Sequence, residues 1–176
     1  KAGYWYNHAY GYGLVDATEA VNMAKSWQTV DSEIVVNMGE ITVNDYIFDD
    51  RDSGVSSTII VNQSINIESI EVLVDVSHKF RGDLNFFLTS PSGIVSELVR
   101  EHSDPGHDYD DWIFSSVVHW GENSFGEWSL KVNDTVQGGD IGSPEFRYWN
   151  LTFYGTAGAD NDEDGLPNYA ESVIGT

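Results

Sequence analysis

The chain has 176 residues, enough for one ordinary domain with a short appendage. Its 29 Asp and Glu residues against 8 Lys and Arg residues give a formal net charge of −21, which repels phosphate backbones and anionic lipid. Cysteine is absent, which excludes disulfides and thiolate sites, and no apolar run reaches the roughly 20 residues of a membrane span. We therefore expect no nucleic-acid partner and no membrane insertion, and the composition favours an exported protein that meets salt or divalent cations.

Residues 1–29 form the first part of the chain, in which a glycine- and tyrosine-rich turn region precedes a short helix. Asp16 followed by Glu19 is typical of a capping box at a helix start. Apolar residues then recur at helical spacing: Ala17, Ala20, Val21, Ala24 and Trp27. A helix this short is marginal alone, so we expect its packing partner to lie mostly upstream of this chain.

Residues 30–156 have the pattern of short β-strands throughout. Four runs alternate apolar and other residues, as half-buried strands do. Their apolar members are Ile70, Val72, Val74 and Val76; Leu84, Phe86 and Leu88; Trp128, Leu130 and Val132; and Trp149, Leu151 and Phe153. Turn signals with glycine and proline separate the runs, and no helical crossover connects them. The pattern predicts an all-β, antiparallel sandwich.

Residues 157–176 contain the strongest chemical motif of the sequence. Carboxylates at alternate positions precede a glycine and a later glutamate, as in the calcium loop of an EF-hand. The predicted ligands are Asp160, Asp162, Asp164, the Leu166 carbonyl and Glu171, with Gly165 at the sharp turn. Ca²⁺ takes about six to eight oxygen ligands, which converge from alternate positions of such a loop. Calcium is therefore the predicted cofactor, and a solvated acidic linker is the alternative.

Three stretches of the chain carry a resemblance to known families. The middle resembles the P domain of kexin- and furin-like subtilases through IEVLVD at 70–75, RGDL at 81–84, LTSPSG at 88–93, DW at 111–112, WGE at 120–122, GEW at 126–128 and LTFYGT at 151–156. YGYGLVDA at 10–17, with the helix after it, resembles the end of a subtilisin-type catalytic domain. The tail is similar to the single calcium loops of thrombospondin-type-3 and dockerin-like repeats.

The resemblance implies an antiparallel jelly-roll β-sandwich for residues 30–156, between the end of a catalytic domain and a calcium loop. It carries no catalytic residue onto this chain, because the family's catalytic Asp, His and Ser lie upstream of the closing helix. We interpret the five histidines as structural and expect no catalysis by this chain alone. The implied parent is a secreted, bacterial, calcium-dependent subtilisin/kexin-like serine endopeptidase. The implied partner is its catalytic domain, which the P domain stabilises and regulates within one polypeptide.

An acidic loop in the middle part is a candidate for a second calcium site. Asp108 and Asp110 lie in this loop with Asp104 and Asp111. A sandwich like that of the family would let Asp83 approach the loop. We predict Asp83, Asp108 and Asp110 as ligands, and a solvated surface loop is the alternative.

Two other functions remain open from the sequence. Arg81-Gly82-Asp83 is an adhesion tripeptide, although Gly82 also fits a turn that precedes a strand. Sandwiches host many binding functions, so a carbohydrate- or surface-binding module that uses exposed tryptophans is the alternative to a protease region. Trp128 and Trp149 are predicted to be core instead, because they lie on the apolar positions of their strands.

Overall fold

The computed structural model describes residues 6–7, 9–27, 29, 31–49, 52–138 and 142–157, and strands dominate them. One helix, α1 (Ala17–Ala24), precedes the strands, and a 3-10 turn (Arg81–Asp83) lies among them. The strands are β1 (Ile34–Asn37), β2 (Ile41–Tyr46), β3 (Val55–Val61), β4 (Ile65–Ser77), β5 (Leu84–Thr89), β6 (Val95–Val99), β7 (Tyr109–Ser116), β8 (Gly126–Asp134) and β9 (Glu145–Ala157). The predicted all-β class with one N-terminal helix is confirmed.

The strands form two antiparallel sheets. The five-stranded sheet has the order β1-β9-β4-β7, and β2 pairs with β9 beyond the end of β1. The four-stranded sheet has the order β3-β8-β5-β6. The long strands β4 and β9 pair along their whole length, from Ile65 opposite Ala157 to Ser77 opposite Glu145. This arrangement confirms the predicted antiparallel sandwich.

The core between the sheets consists of the alternating apolar residues. On β4 and β9 the register places inward residues opposite one another: Ile70 with Phe153, Val72 with Leu151 and Val74 with Trp149. These six are fully buried, and so are the inward residues of β5 and β8: Leu84, Phe86, Leu88, Trp128, Leu130 and Val132. Burying one such side chain contributes roughly 1.5–3 kcal/mol. Since a slip by one residue would turn every one of them outward, this core fixes the register.

The N-terminal helix begins where the capping pattern predicts. Asp16 Oδ1 accepts hydrogen bonds from the amides of Thr18 and Glu19, both at 3.0 Å. α1 ends at Ala24, before Trp27, and none of its residues is buried. Its apolar stripe is therefore uncovered within the part of the chain that the structure describes. No described helix is long and apolar enough to cross a membrane.

The loops of the sandwich collect at two ends. The connections after β3, β5 and β7 lie at the Tyr12 end, named after the tyrosine that packs there. The connections after β2, β4, β6 and β8 lie at the His78 end, named after the buried histidine that follows β4. Because neighbouring strands are antiparallel, the strand order alone decides which loops meet.

Candidate functional site

One tyrosine fastens the N-terminal segment to the Tyr12 end of the sandwich. The Tyr12 hydroxyl donates to the Val117 carbonyl at 2.6 Å, and the two residues are 105 positions apart. The Tyr12 ring meets the Trp120 ring edge-on, with centroids 5.7 Å apart. Burial raises the pKa of Tyr12, so the hydroxyl remains a donor at neutral pH. The contact joins the residues before α1 to the connection between β7 and β8.

His119 and Glu122 of the same connection form a hydrogen-bond network with Ser92 of the β5–β6 connection. His119 Nδ1 lies 2.7 Å from Glu122 Oε2, and the Ser92 hydroxyl donates to Glu122 Oε1 at 2.6 Å. His119 is fully buried, and its ring meets the Trp128 ring edge-on at 5.0 Å. Burial by itself raises the pKa of Glu122, but the hydrogen bonds from His119 and Ser92 outweigh it and the net pKa is lowered. Glu122 is therefore a carboxylate at neutral pH.

This network has the residue types of a catalytic triad without its arrangement. A triad places the histidine between the nucleophile and the acid. Here the carboxylate of Glu122 lies between Ser92 and His119. Ser92 therefore has no imidazole base within reach in this network.

The His78 end holds a second histidine–carboxylate pair. His78 Nε2 lies 3.1 Å from Asp134 Oδ2, and both side chains are fully buried. His78 Nδ1 lies 2.8 Å from the Phe80 carbonyl, and Asp134 Oδ1 accepts the Val136 amide at 3.0 Å. Burial outweighs the contacts of Asp134 with the Val136 amide and with His78, and the pKa of Asp134 is raised.

Sequence reasoning missed both buried pairs. His119 directly precedes the WGE motif and lies three residues before its glutamate, but the motif indicates the family resemblance and not a buried pair. His78 and Asp134 are 56 residues apart, and no local pattern connects them.

The Arg81-Gly82-Asp83 tripeptide is built into the fold. It forms the 3-10 turn, and Arg81 Nε donates to Asp104 at 2.8 Å. The guanidinium lies over the Trp112 ring, 5.1 Å from its centroid. A Cβ atom on Gly82 would lie 2.3 Å from a neighbouring backbone oxygen, so only glycine fits. The arginine is engaged within the domain, which argues against the adhesion hypothesis.

The predicted calcium loop in the tail lies outside the described residues. Its ligands were Asp160, Asp162, Asp164, Leu166 and Glu171. This site stays a prediction.

The second predicted calcium site, Asp83, Asp108 and Asp110, lies within the described residues. Asp83 ends the 3-10 turn, and Asp110 is exposed on β7. Asp108 accepts the His78 amide at 2.8 Å. Within the described ranges, no group of three or more acidic or histidine side chains is placed to hold a metal ion. The structure therefore does not bring these three residues together as a metal site.

The tryptophans divide into buried and partly exposed residues. Trp128 and Trp149 are fully buried, as predicted for core positions. Trp112 packs against Arg81, and Trp120 packs against Tyr12. Trp112 and Trp120 therefore have different protein neighbours, so these two rings do not favour a shared sugar-binding platform.

Comparison with known proteins identifies the class of the sandwich. Residues 67–153 match the family model of the proprotein convertase P-domain. Kexin of Saccharomyces cerevisiae is 33% identical over 158 residues, which are 85% of this chain and 19% of kexin. Human proprotein convertase subtilisin/kexin type 5 is 34% identical over 89% of this chain and 9% of that protein. Residues 67–153 are therefore a P domain, of the kind that kexin-like proteases carry.

A solved structure has the same fold. The serine protease of Aeromonas sobria, crystallised with a chaperone, gives a TM-score of 0.77 at 23% identity. The match covers 88% of this chain and 32% of the protease chain. The chain spans only 9% to 19% of the length of the two curated relatives above.

Proposed function

We propose that this chain is the non-catalytic C-terminal P-domain region of an exported subtilisin/kexin-like serine endopeptidase. The observation that carries the proposal is the P-domain match over residues 67–153. The segment that Tyr12 fastens to the sandwich supports it, because that segment resembles the end of a subtilisin-type catalytic domain. The partner of the P domain is then a catalytic domain in the same polypeptide.

In this proposal the P domain stabilises and regulates its neighbour. A packed intramolecular interface raises the free energy of local opening, and a protease that opens less often is digested less often by its own copies. The sandwich suits this role because its core closes without any contribution from α1.

The gene upstream of the codon for Lys1 tests the protease assignment. We expect an open frame with subtilase-type Asp, His and Ser motifs that runs into Lys1. Deletion of residues 30–176 from its product should lower the melting temperature and shorten the active lifetime of the protease. An upstream frame that encodes another enzyme, or none, would contradict the assignment and leave the P-domain fold intact.

Calcium is the proposed cofactor of the tail, where Asp160, Asp162, Asp164, the Leu166 carbonyl and Glu171 follow the loop pattern. Extracellular calcium modules bind with dissociation constants of roughly 10⁻⁴ to 10⁻³ M. At about tenfold excess, calcium would stabilise such a loop by about 1.4 kcal/mol, which suffices to order a tail.

Asp162→Ala tests the calcium site through limited proteolysis. Calcium should protect residues 157–176 in the parent chain and not in this variant. Glu127→Ala, at an exposed position on β8, is the matched control and should keep the protection. Unchanged protection in Asp162→Ala would remove the calcium assignment.

A further inference from the structure

One edge strand of the sandwich lacks the features that normally keep a sheet edge from pairing with another chain. Edge strands present unpaired main-chain amides and carbonyls, and proteins protect them with charged side chains, bulges, short length or a covering segment. β3 ends the four-stranded sheet and pairs with β8. Within the described ranges, no main-chain hydrogen bond joins β3 to a loop. The side of β3 that faces away from β8 is called the β3 edge.

The other edge strands that the structure describes each have one of these protective features. β6, at the opposite edge of the same sheet, contains Glu97. β7, at one edge of the five-stranded sheet, contains Asp110 and Asp111. At its other edge, β1 has only four residues, and β2 carries Asp45 next to a register shift in its pairing with β9. Each of these edges therefore discourages the approach of another strand.

β3, by contrast, is regular, uncharged and firmly held. All seven of its residues pair with β8 without a register shift. Residues 53–67 contain no charged residue, although the whole chain carries a net charge of −21. The Ser57 hydroxyl accepts a hydrogen bond from Trp149 Nε1 at 3.0 Å, which ties β3 to the opposite sheet. The β3 edge is therefore a preformed template for a further strand.

We infer that the β3 edge pairs with the β3 edge of a second copy of this chain, antiparallel about a twofold axis at Thr58. The inference does not depend on the proposed function. A strand can pair antiparallel with its own copy, and a register centred on Thr58 keeps the outward side chains of both copies on one face. That register places Ser56 opposite Ile60 of the second copy. Because Ile60 is 63% exposed, the pairing covers part of an apolar side chain that is now open to solvent.

The charges beside the β3 edge favour a second copy as the occupant. On β8, Lys131 lies opposite Ser56, and Glu127 lies opposite Ile60. In the joined sheet, a row that holds Lys131 of one copy therefore holds Glu127 of the other, and opposite charges flank the junction in both rows. Two copies that each carry a net charge of −21 repel one another in general, so an uncharged edge with such flanks is where they can approach.

Sedimentation equilibrium of the 176-residue chain at increasing NaCl concentration tests the pairing. One strand pair is a small interface, of the class below about 1,200 Å², so we expect a weak and reversible dimer. The Debye length falls from about 10 Å at 0.1 M salt to about 3 Å at 1 M. Salt therefore screens the repulsion between the two copies, and the dimer should strengthen.

Two results of this experiment would overturn the inference. One is a chain that stays monomeric at about 1 mM protein in about 1 M NaCl. The other is a dimer that weakens as salt is added, because it would indicate an interface held by opposite charges at another surface.

Thr58→Lys and Thr58→Glu test the position of the axis. In the inferred register, position 58 of one copy faces position 58 of the other, so each variant alone opposes like charges. Each should raise the dissociation constant of the dimer about tenfold or more, and a mixture of the two variants should restore the dimer. Ser129→Lys is the matched control, because Ser129 lies opposite Thr58 on β8, one strand away from the edge. It should dimerise like the parent.

The melting temperatures and the mixture decide how these variants are interpreted. Thr58 is exposed and Ser129 is partly exposed, so all three variants should melt close to the parent. Equal dissociation constants in Thr58→Lys and Ser129→Lys would overturn the β3 edge as the interface. Single variants that stay monomeric when mixed would overturn the axis at Thr58.

Hydrogen exchange of the parent chain tests the same edge without any substitution. Peptides over residues 55–61 should exchange more slowly as the protein concentration rises through the dissociation constant. Peptides over residues 95–99, in the edge strand β6 of the same sheet, should not change. The opposite result, with slower exchange in β6 and none in β3, would overturn the inference.

Discussion

The two ends of the sandwich each bury a histidine beside a carboxylate, but the pKa values of the two carboxyl groups shift in opposite directions. Burial raises both values. At the Tyr12 end, hydrogen bonds from His119 and Ser92 outweigh burial, and the pKa of Glu122 is lowered. At the His78 end, burial outweighs the longer contact between His78 and Asp134, and the pKa of Asp134 is raised. Each carboxylate accepts two hydrogen bonds, so the sign depends on whether those hydrogen bonds outweigh burial.

The opposite shifts give the two ends opposite responses to acid. The folded-state pKa of Glu122 lies below its unfolded value of about 4.3, so its contribution to the free energy of unfolding is lost as the pH falls through the folded pKa. The folded-state pKa of Asp134 lies above its unfolded value of about 3.9. The cost of burying its charge is relieved as the pH falls through that raised pKa. As the pH falls, Glu122 at the Tyr12 end therefore loses its stabilising contribution, and Asp134 at the His78 end loses its destabilising one.

Removal of the histidine at the Tyr12 end should have the largest effect on stability. His119→Ala leaves Glu122 buried without one of its two short donors and opens space beside Trp128. Loss of one partner of a buried pair costs about 3–5 kcal/mol, and we expect a decrease of that size in the free energy of unfolding at pH 7. Urea denaturation measures it. His102→Ala, at an exposed histidine, should change stability by about 0.5 kcal/mol or less. Equal losses in the two variants would show that the contact of His119 with Glu122 adds no more to stability than an exposed histidine does.

Glu122→Gln separates the charge from the shape at the same site. The amide keeps the volume but turns one acceptor oxygen into a donor, which then faces Ser92 or His119. We expect a loss of about 1–3 kcal/mol at pH 7. The free energy of unfolding should also fall less steeply than in the parent between about pH 5 and pH 3. Urea denaturation at pH 7 and across this range measures both the loss and the pH dependence. If the free energy of unfolding falls with pH as steeply as in the parent, another carboxylate causes the acid response.

Asp134→Asn should be tolerated better than the change at Glu122. The amide oxygen can still accept the Val136 amide, and the amide nitrogen can donate to His78 Nε2. This hydrogen bond requires the His78 tautomer whose proton is on Nδ1. That tautomer is available because Nδ1 can donate to the Phe80 carbonyl, 2.8 Å away. We expect a change within about 1 kcal/mol at pH 7. Relative to the parent, any gain in stability should be largest at neutral pH, where the parent buries a charge, and it should shrink as the pH falls through the raised pKa of Asp134. A loss as large as that of Glu122→Gln in the same urea experiment would show that the two buried carboxylates contribute alike to the free energy of unfolding.

The sandwich could be predicted from residue alternation, whereas the buried pairs could not. Alternation is a local signal, so Val72 and Val74 indicate an inward face without knowledge of their partners. His78 and Asp134 meet only because β4 and β8, in different sheets, finish at the same end of the sandwich. That proximity follows from the strand order, which no short stretch of the sequence encodes.

The Tyr12 end shows the same limit. The capping pattern at Asp16 predicted the helix start correctly, because the cap hydrogen bonds span only two and three residues. The apolar stripe of the helix predicts that a packing partner exists, but no local pattern predicted that Tyr12, just before the helix, contacts a residue 105 positions away. Local patterns therefore predicted the elements, and the contacts between distant elements required the structure.

The smallest effect is expected where the N-terminal segment meets the sandwich. Tyr12→Phe deletes the hydroxyl that donates to Val117 and keeps the ring against Trp120. One hydrogen bond contributes about 0.5–1.5 kcal/mol, and this one holds a segment that adds nothing to the core. The urea midpoint should therefore stay unchanged, while the amides of residues 9–13 exchange about two- to tenfold faster. Tyr10→Phe, at a tyrosine that is 68% exposed, should change neither quantity.

Equal amide exchange in Tyr12→Phe and the parent would show that the hydroxyl hydrogen bond does not hold the segment. It would mean that ring packing alone holds the segment, since the variant retains the edge-on contact with Trp120. The Tyr12 end would then bind its segment through apolar contact, in keeping with the exposed side chains around it. The His78 end, whose loops are fastened by ion pairs such as Arg81 with Asp104, would remain the polar end of the domain.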